Sequence, residues 1–181
     1  MSELGHLVVA ARSLDEGAAW VESKLGVATA AGGKHALMAT HNRLLRLDAR
    51  RYIEVIAVDP DAPAPPRPRW FALDIAATRE RLARGPALVH WVERTDDLEA
   101  ALRGYPEAVE ILSFTRGPYR WRMAVPRDGS LPANGTLIQW EGGLHPWDAL
   151  PETHVSLLEF SPAKGPLSAT FVTPAGRRSI P

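Results

Sequence analysis

Apolar and polar positions alternate in two different rhythms along this chain. Residues 6–11 (HLVVAA) form a short apolar run rich in β-formers, the pattern of a buried strand. Ser13 is placed to cap a helix, with Glu16 three residues on as in a capping box. Ala18, Ala19, Val21 and Leu25 then recur at helical spacing, and Gly26 closes the segment. Residues 35–40 and 42–47 are strand candidates, Asp48-Ala49-Arg50 is a turn, and residues 52–58 (YIEVIAV) are the most β-prone run of this half. The order is β-α-β-β-β.

Residues 59–70 carry five prolines, which withhold ladder donors and bias their predecessors away from helix, so this is an extended connection. Residues 71–84 read as a weak helix stopped by Gly85-Pro86. The first pattern then returns. Residues 88–94 are a strand, Asp96 or Asp97 caps a helix over 98–103, and residues 109–114, 119–125 and 136–141 are strands. Shifting the first half by 84 positions sets His6 on His90 and Leu14 on Leu98. A shift of 85 sets residues 52–55 on 137–140. Histidine, helix and last strand coincide, which indicates an internal duplication. Residues 153–160 and 167–173, joined by 161–166, read as a C-terminal hairpin. Beyond them lies a basic, frayed tail. The expected division is 1–58 first module, 59–86 connection and helix, 87–142 second module, and 143–181 C-terminal loop and hairpin.

Composition narrows the function. Of 181 residues, 45% are hydrophobic, enough to build a core. The 21 basic and 21 acidic side chains cancel, so charge gives no case for nucleic acid binding. Cysteine is absent, which excludes disulfides, thiolate metal sites and thiol nucleophiles. No segment approaches a membrane span, and the N-terminus lacks the basic start of a signal peptide, so a cytoplasmic protein is expected. Gly32-Gly33-Lys34 lacks the spacing of a phosphate loop, and there is no G-x-S-x-G elbow.

Two βαβββ modules, each with a histidine on its first strand, resemble the vicinal oxygen chelate superfamily (glyoxalases, bleomycin-resistance proteins and extradiol dioxygenases). Segments such as HLVVAARSLDEGAAWVESKLGV, YIEVIAVDPDAP, HWVERTDDLEAAL and LIQWEGGLHPWDALP are similar to the bacterial glyoxalase-like domain proteins within it. The resemblance implies an α+β fold, in which the two modules form a half-open, barrel-like sheet around a cavity. It implies a divalent metal (zinc, nickel, manganese or iron) held by His6, Glu54, His90 and Gln139 on the first and fourth strands. Gln139 departs from the carboxylate common at that place. The activity implied is lyase, isomerase or dioxygenase chemistry on a small oxygenated substrate, with Glu54 or Glu141 moving the proton. The alternative is a metal-free protein that sequesters a small molecule, as bleomycin-resistance relatives do. Related folds also pair modules between chains, so a homodimer is compatible with the resemblance.

The residues themselves support part of this. His6, Val8 and Ala10 share one strand face, and Tyr52, Glu54 and Ile56 another. Glu54 stands in an apolar run, where a carboxylate is costly unless paired, hydrogen-bonded or bound to a cation. A salt bridge to Arg43, Arg46 or Arg51 satisfies it equally well, and His6 and His90 read equally as buried neutral imidazoles. Pocket candidates are His41 and Asn42 at a strand junction, Trp70 and His145 on connections, and Arg120 and Arg122 on one strand face. His41 also reads as a turn residue, His35 shares its ambiguity, and the arginines also read as a solvated stripe. Trp91 and Trp140 are expected to face away from His90 and Gln139, toward helices. Trp147 anchors the loop carrying His145.

Overall fold

The computed structural model describes residues 1–162 and 166–181. Its first module runs β1 (Glu3–Ala10), α1 (Leu14–Leu25), β2 (Ala30–His35), β3 (Thr40–Arg46) and β4 (Tyr52–Val58). After a connection containing α2 (Ala76–Ala83), the second runs β5 (Ala87–Arg94), α3 (Leu98–Leu102), β6 (Val109–Arg116), β7 (Tyr119–Pro126) and β8 (Thr136–Glu141). The eight strands make one sheet in the order β2-β3-β4-β1-β5-β8-β7-β6, which reads the same from both ends when modules are exchanged. β1 pairs with β4 and β5 with β8 in parallel, and β1 meets β5 antiparallel. The two modules therefore join within one chain.

Local signals explain most boundaries. Ser13 Oγ accepts the Glu16 N–H at the start of α1, and Gly26 ends it at φ 74°. Asp97 caps α3 through the Ala100 N–H. The helix expected over 71–84 is confined to α2, since Phe71 and Ala72 are left-handed, and residues 35–40 are not a strand. They form a 3₁₀ turn (Ala36–Met38) closed by Ala39 at φ 48°. The strand lies earlier, over Ala30–His35, a stretch of alanine and glycine whose ladder with β3 supplies what side-chain propensity does not.

Side-chain alternation divides the core between the two faces. His6, Val8 and Ala10 lie on the concave face, with Ile56, Trp121, Met123 and Ile138. Leu7 and Val9 lie on the convex face with Val21 and Leu25 of α1. A second sheet, β11-β10-β9, covers this convex cluster with Phe171 and Ile180. Its strands are β9 (Ser156–Ser161), β10 (Ser168–Thr173) and β11 (Gly176–Ile180), preceded by a short α4 (Pro146–Ala149). The tail is thus a third strand, not frayed. Ile180 is its one buried residue and pairs with Ala169, so a polar edge strand hides behind a basic sequence. The loop expected over 161–166 includes residues 163–165, which lie outside those described.

The proline-rich connection docks against both modules. Arg69 Nε donates to the Ala39 carbonyl, and Ala72 N–H donates to the Gly129 carbonyl. Phe71 and Ala72 both take left-handed φ, 55° and 56°, a conformation that costs non-glycine residues about 1–2 kcal/mol each. That turn puts Trp70 and Phe71 into the concave core.

Close approach of α1 to the sheet depends on Gly17, where a Cβ would meet Val55 Cγ1 at 2.4 Å. We expect Gly17→Val to destabilise the protein by roughly 1–3 kcal/mol. Gly104→Ala, which meets nothing within 4 Å, should be close to neutral. Urea denaturation of the two variants beside the native chain checks this, and equal midpoints would refute it.

Candidate functional site

A buried polar network sits on the concave face where β1, β3 and β4 run side by side. Its centre is Asn42 on β3. The Asn42 Oδ1 accepts from Arg116 Nη1 and from the Gly33 N–H, both at 2.9 Å. With the oxygen so engaged, the amide nitrogen must donate, and it lies 2.6 Å from Glu54 Oε1 and 3.3 Å from His35 Nε2. His35 Nε2 is then an acceptor, so Nδ1 carries the proton and donates to Thr40 Oγ1 at 3.1 Å. Gly32 and Gly33 make room for this. A Cβ on Gly32 would meet Asn42 Oδ1 at 2.1 Å, and one on Gly33 would meet Arg116 Cδ at 2.5 Å.

Glu54 is buried, and no arginine satisfies it. Its other oxygen faces His6 Nε2 at 3.5 Å. Arg43 donates to Thr29, Arg46 to backbone carbonyls, and Arg51 pairs with Asp48. Burial alone would push the Glu54 carboxyl up. The hydrogen bond and charge of His6, with smaller help from His35 and Asn42, outweigh it and pull the pKa down to about 2. The carboxylate is ionised at neutral pH. His6 stacks on Tyr52 with ring centroids 4.5 Å apart, and its Nδ1 is buried without a partner. Trp70 Nε1 is likewise buried and unpartnered. Both residues line one narrow cavity, shared with Trp121 and Trp140. It encloses about 20 Å³, room for one oxygen-sized group.

Strand register identifies the counterpart of Glu54 in the second module. Val8, two residues past His6, pairs with Glu54. Val92, two residues past His90, pairs with Thr136. The match of the His6–Glu54 pair is therefore His90–Thr136, with Nε2 and Oγ1 2.9 Å apart. Gln139 sits three residues further along, on the opposite face. Its Oε1 accepts from the Leu98 N–H and from Arg122. Trp140, expected against a helix, instead lines the cavity, because Ile138 and Trp140 are the inward residues of β8. Trp91 does face outward, against Phe160.

Of the expected site residues, His6, Glu54, Asn42 and Trp70 converge on the cavity. His90 lies deeper, beside Phe71. Arg122 and Glu141 meet each other on the α3 side at 3.4 Å, and Arg120 is exposed. His41 alternates away from Asn42. His145 stacks on Trp147 at 4.2 Å, and Trp147 packs on Tyr52, so this loop is anchored outside the cavity. Arg116, Tyr52, Trp121 and Trp140 line the cavity although they are not among the expected pocket residues. The available signals were Leu112, Phe114 and Arg116 alternating on one face of β6, and the Gly-Gly pair opposite.

A divalent ion at the expected place needs at least three donors to converge. His90 Nε2 is engaged by Thr136, both nitrogens of His35 are engaged, and Gln139 points away. Among the described residues, no group of three His, Asp or Glu side chains is arranged to hold a metal. As arranged, the residues do not fit a resident divalent ion. Also among the described residues, no helix is long and apolar enough to cross a membrane.

The model of a family described as "glyoxalase-like domain" matches residues 4–170. No curated protein matches the chain. Among solved structures, a hypothetical protein from Staphylococcus aureus is 15% identical, with 96% of this chain and 82% of that one covered and a TM-score of 0.54. A methylmalonyl-CoA epimerase in complex with methylmalonyl-CoA and NH4+ is 16% identical, with 81% and 99% covered and a TM-score of 0.50. The methylmalonyl-CoA epimerase of Mycobacterium tuberculosis is 19% identical, with 78% and 88% covered and a TM-score of 0.48. At such identities the likeness is one of fold.

Burial sets the acid stability of this region. It lowers the pKa of His35 to about 4 and of His90 to about 3, from 6.5. Neutral burial of these rings contributes fully above pH 6.5. That contribution is lost as pH falls toward the folded values, because the unfolded chain then binds more protons. At about 1.4 kcal/mol per pH unit and site, we expect a loss on the order of a few kcal/mol between pH 7 and pH 5. Denaturant midpoints measured across that window check the slope. His90→Gln, which keeps a hydrogen bond to Thr136, should flatten it, and a flat native profile would refute the assignment.

Proposed function

Because the chain belongs to the glyoxalase-like domain family, we propose that it binds a small oxygenated molecule with one oxygen in the concave cavity and moves a proton on it. The observation that carries this reading is the His6 imidazole. It is buried, it lines the cavity, one nitrogen faces an ionised carboxylate, and the other has no partner. In such a dyad the carboxylate holds the ring in one orientation and supports its charge when it is protonated. The free nitrogen then accepts or returns a proton. Trp70 Nε1, the other unpartnered atom among the described residues that line the cavity, is a donor only, and suits a ligand oxygen that gains negative charge as the proton leaves. The reaction class that follows is proton transfer at a carbon next to a carbonyl, the isomerase or lyase side of the chemistry expected for this fold. Asn42 and Tyr52 keep Glu54 and His6 in place, and Phe71, Trp121 and Trp140 exclude water.

A second reading has an observation of its own. The cavity wall is mostly aromatic, and the amide network behind it is saturated, which suits a metal-free binding protein. Solvent deuterium separates the two. Small carbonyl compounds incubated with the protein in deuterated buffer and followed by proton NMR should exchange the hydrogen beside the carbonyl. His6→Ala should abolish this, and Glu54→Gln should slow it by roughly two to four orders of magnitude. Tryptophan fluorescence that responds to these compounds without exchange would replace the enzyme reading with the binding one.

Metal content gives an independent check. Protein purified without chelator should carry well under one equivalent of zinc, nickel, manganese or iron, unchanged by His90→Ala. One equivalent of metal lost on His6→Ala and on Glu54→Gln would overturn the metal-free mechanism.

A further inference from the structure

Arg116 stands between the inner cavity and a separate outer groove. The groove encloses about 240 Å³ and is lined by Ala30, Leu44, Tyr119, Pro146 and Leu150 together with Arg116. The same arginine lines the inner cavity. It belongs to β6, one edge of the curled sheet, yet it hydrogen-bonds Asn42 and lies against Gly33 of β2, the opposite edge. Arg116 thus lies where the two edges of one sheet approach each other.

A guanidinium stays charged throughout the accessible pH range and has five N–H donors. The part-buried arginines Arg67, Arg69, Arg94 and Arg122 each pair with a carboxylate. Arg43 and Arg46 instead bind backbone carbonyls across loops. Arg116 has one amide oxygen as acceptor and the Tyr119 ring at 5.6 Å, and it enters no ion pair among the described residues. Glu54, the carboxylate lining the same cavity, is engaged by Asn42 and His6. Most of the fork is left facing space that a ligand can occupy.

We infer that Arg116 is the recognition site for a carboxylate on the ligand. The ligand class is a small monocarboxylate with an apolar remainder. Its carboxylate pairs with the Arg116 fork, its apolar part lies in the outer groove, and a neighbouring hydroxyl or carbonyl oxygen enters the inner cavity. Only that last placement rests on the proton-transfer reading above. The carboxylate and the groove do not.

Trp70, Trp121 and Trp140 line the inner cavity, so intrinsic fluorescence reports on its contents. The probes are 2-hydroxy and 2-oxo monocarboxylates of about four to nine carbon atoms, each matched with its neutral amide. At least one acid should bind at least about tenfold more tightly than its amide. The preference should weaken as salt rises from about 50 to about 500 mM. Arg116→Gln should weaken acid binding at least about tenfold more than it weakens binding of the matched amide. Arg116→Lys should retain part of the preference. Circular dichroism confirms that the variants fold. Equal binding of acids and amides, no acid binding at all, or a preference that survives Arg116→Gln would each overturn the inference. An Arg116-dependent preference with no deuterium exchange would leave it standing and sink the proton-transfer reading. Exchange without a preference would do the reverse.

Discussion

An ionised carboxylate cannot remain inside an apolar strand unless donors surround it, and Glu54 imposes that condition on everything nearby. A buried charge without partners costs several kcal/mol, more than most single contacts return. Asn42 and His6 meet the requirement directly. Asn42 can do so only because Arg116 and the Gly33 N–H hold its oxygen, which fixes the direction of its amide. Gly32 leaves room for the Asn42 side chain and Gly33 for that of Arg116. One charge on β4 thereby orders β1, β2, β3 and the far edge of the sheet at β6.

The duplicated architecture was legible because it is written in local chemistry. A capping side chain (Ser13, then Asp97) and a two-residue alternation are short-range signals, and each appears in both modules. The site was only half legible. His6 and Glu54 were readable because polar residues stand out in apolar runs. Gln139 was misplaced because matching two halves by counting residues ignores loop lengths within a module. The ladder carries the true register and puts Thr136 opposite Val92. A three-residue error also reverses the face, which is why Trp140 was expected outside and is found within. Arg116 and β11 escaped for a different reason. An arginine in a strand and a basic tail both look like solvent-facing surface until tertiary pairing shows what each one touches.

The register also shows how the two halves have diverged. A histidine beside a carboxylate on β1 and β4 becomes a histidine beside a hydroxyl on β5 and β8. The first pair leaves an unpartnered nitrogen at a cavity. The second is closed over by Phe71 and packed as core. Symmetry of the backbone thus coexists with asymmetry of chemistry: both modules line the cavity, but its imidazoles and its carboxylate come from the first.

The proline-rich connection does more than join the modules. Its prolines restrict the unfolded chain, so less conformational freedom is surrendered when the segment docks. It ends in two adjacent left-handed residues, which set the Trp70 and Phe71 rings beneath the site. The tether between the modules is thereby also the floor of the chamber they enclose. A proteolytic nick within it would leave the central β1–β5 ladder paired and the sheet intact. Trp70 and Phe71, by contrast, are held in place by that segment, so the floor of the chamber depends on it more directly than the ladder does. Continuity of the chain at this point bears on the chamber more than on the sheet.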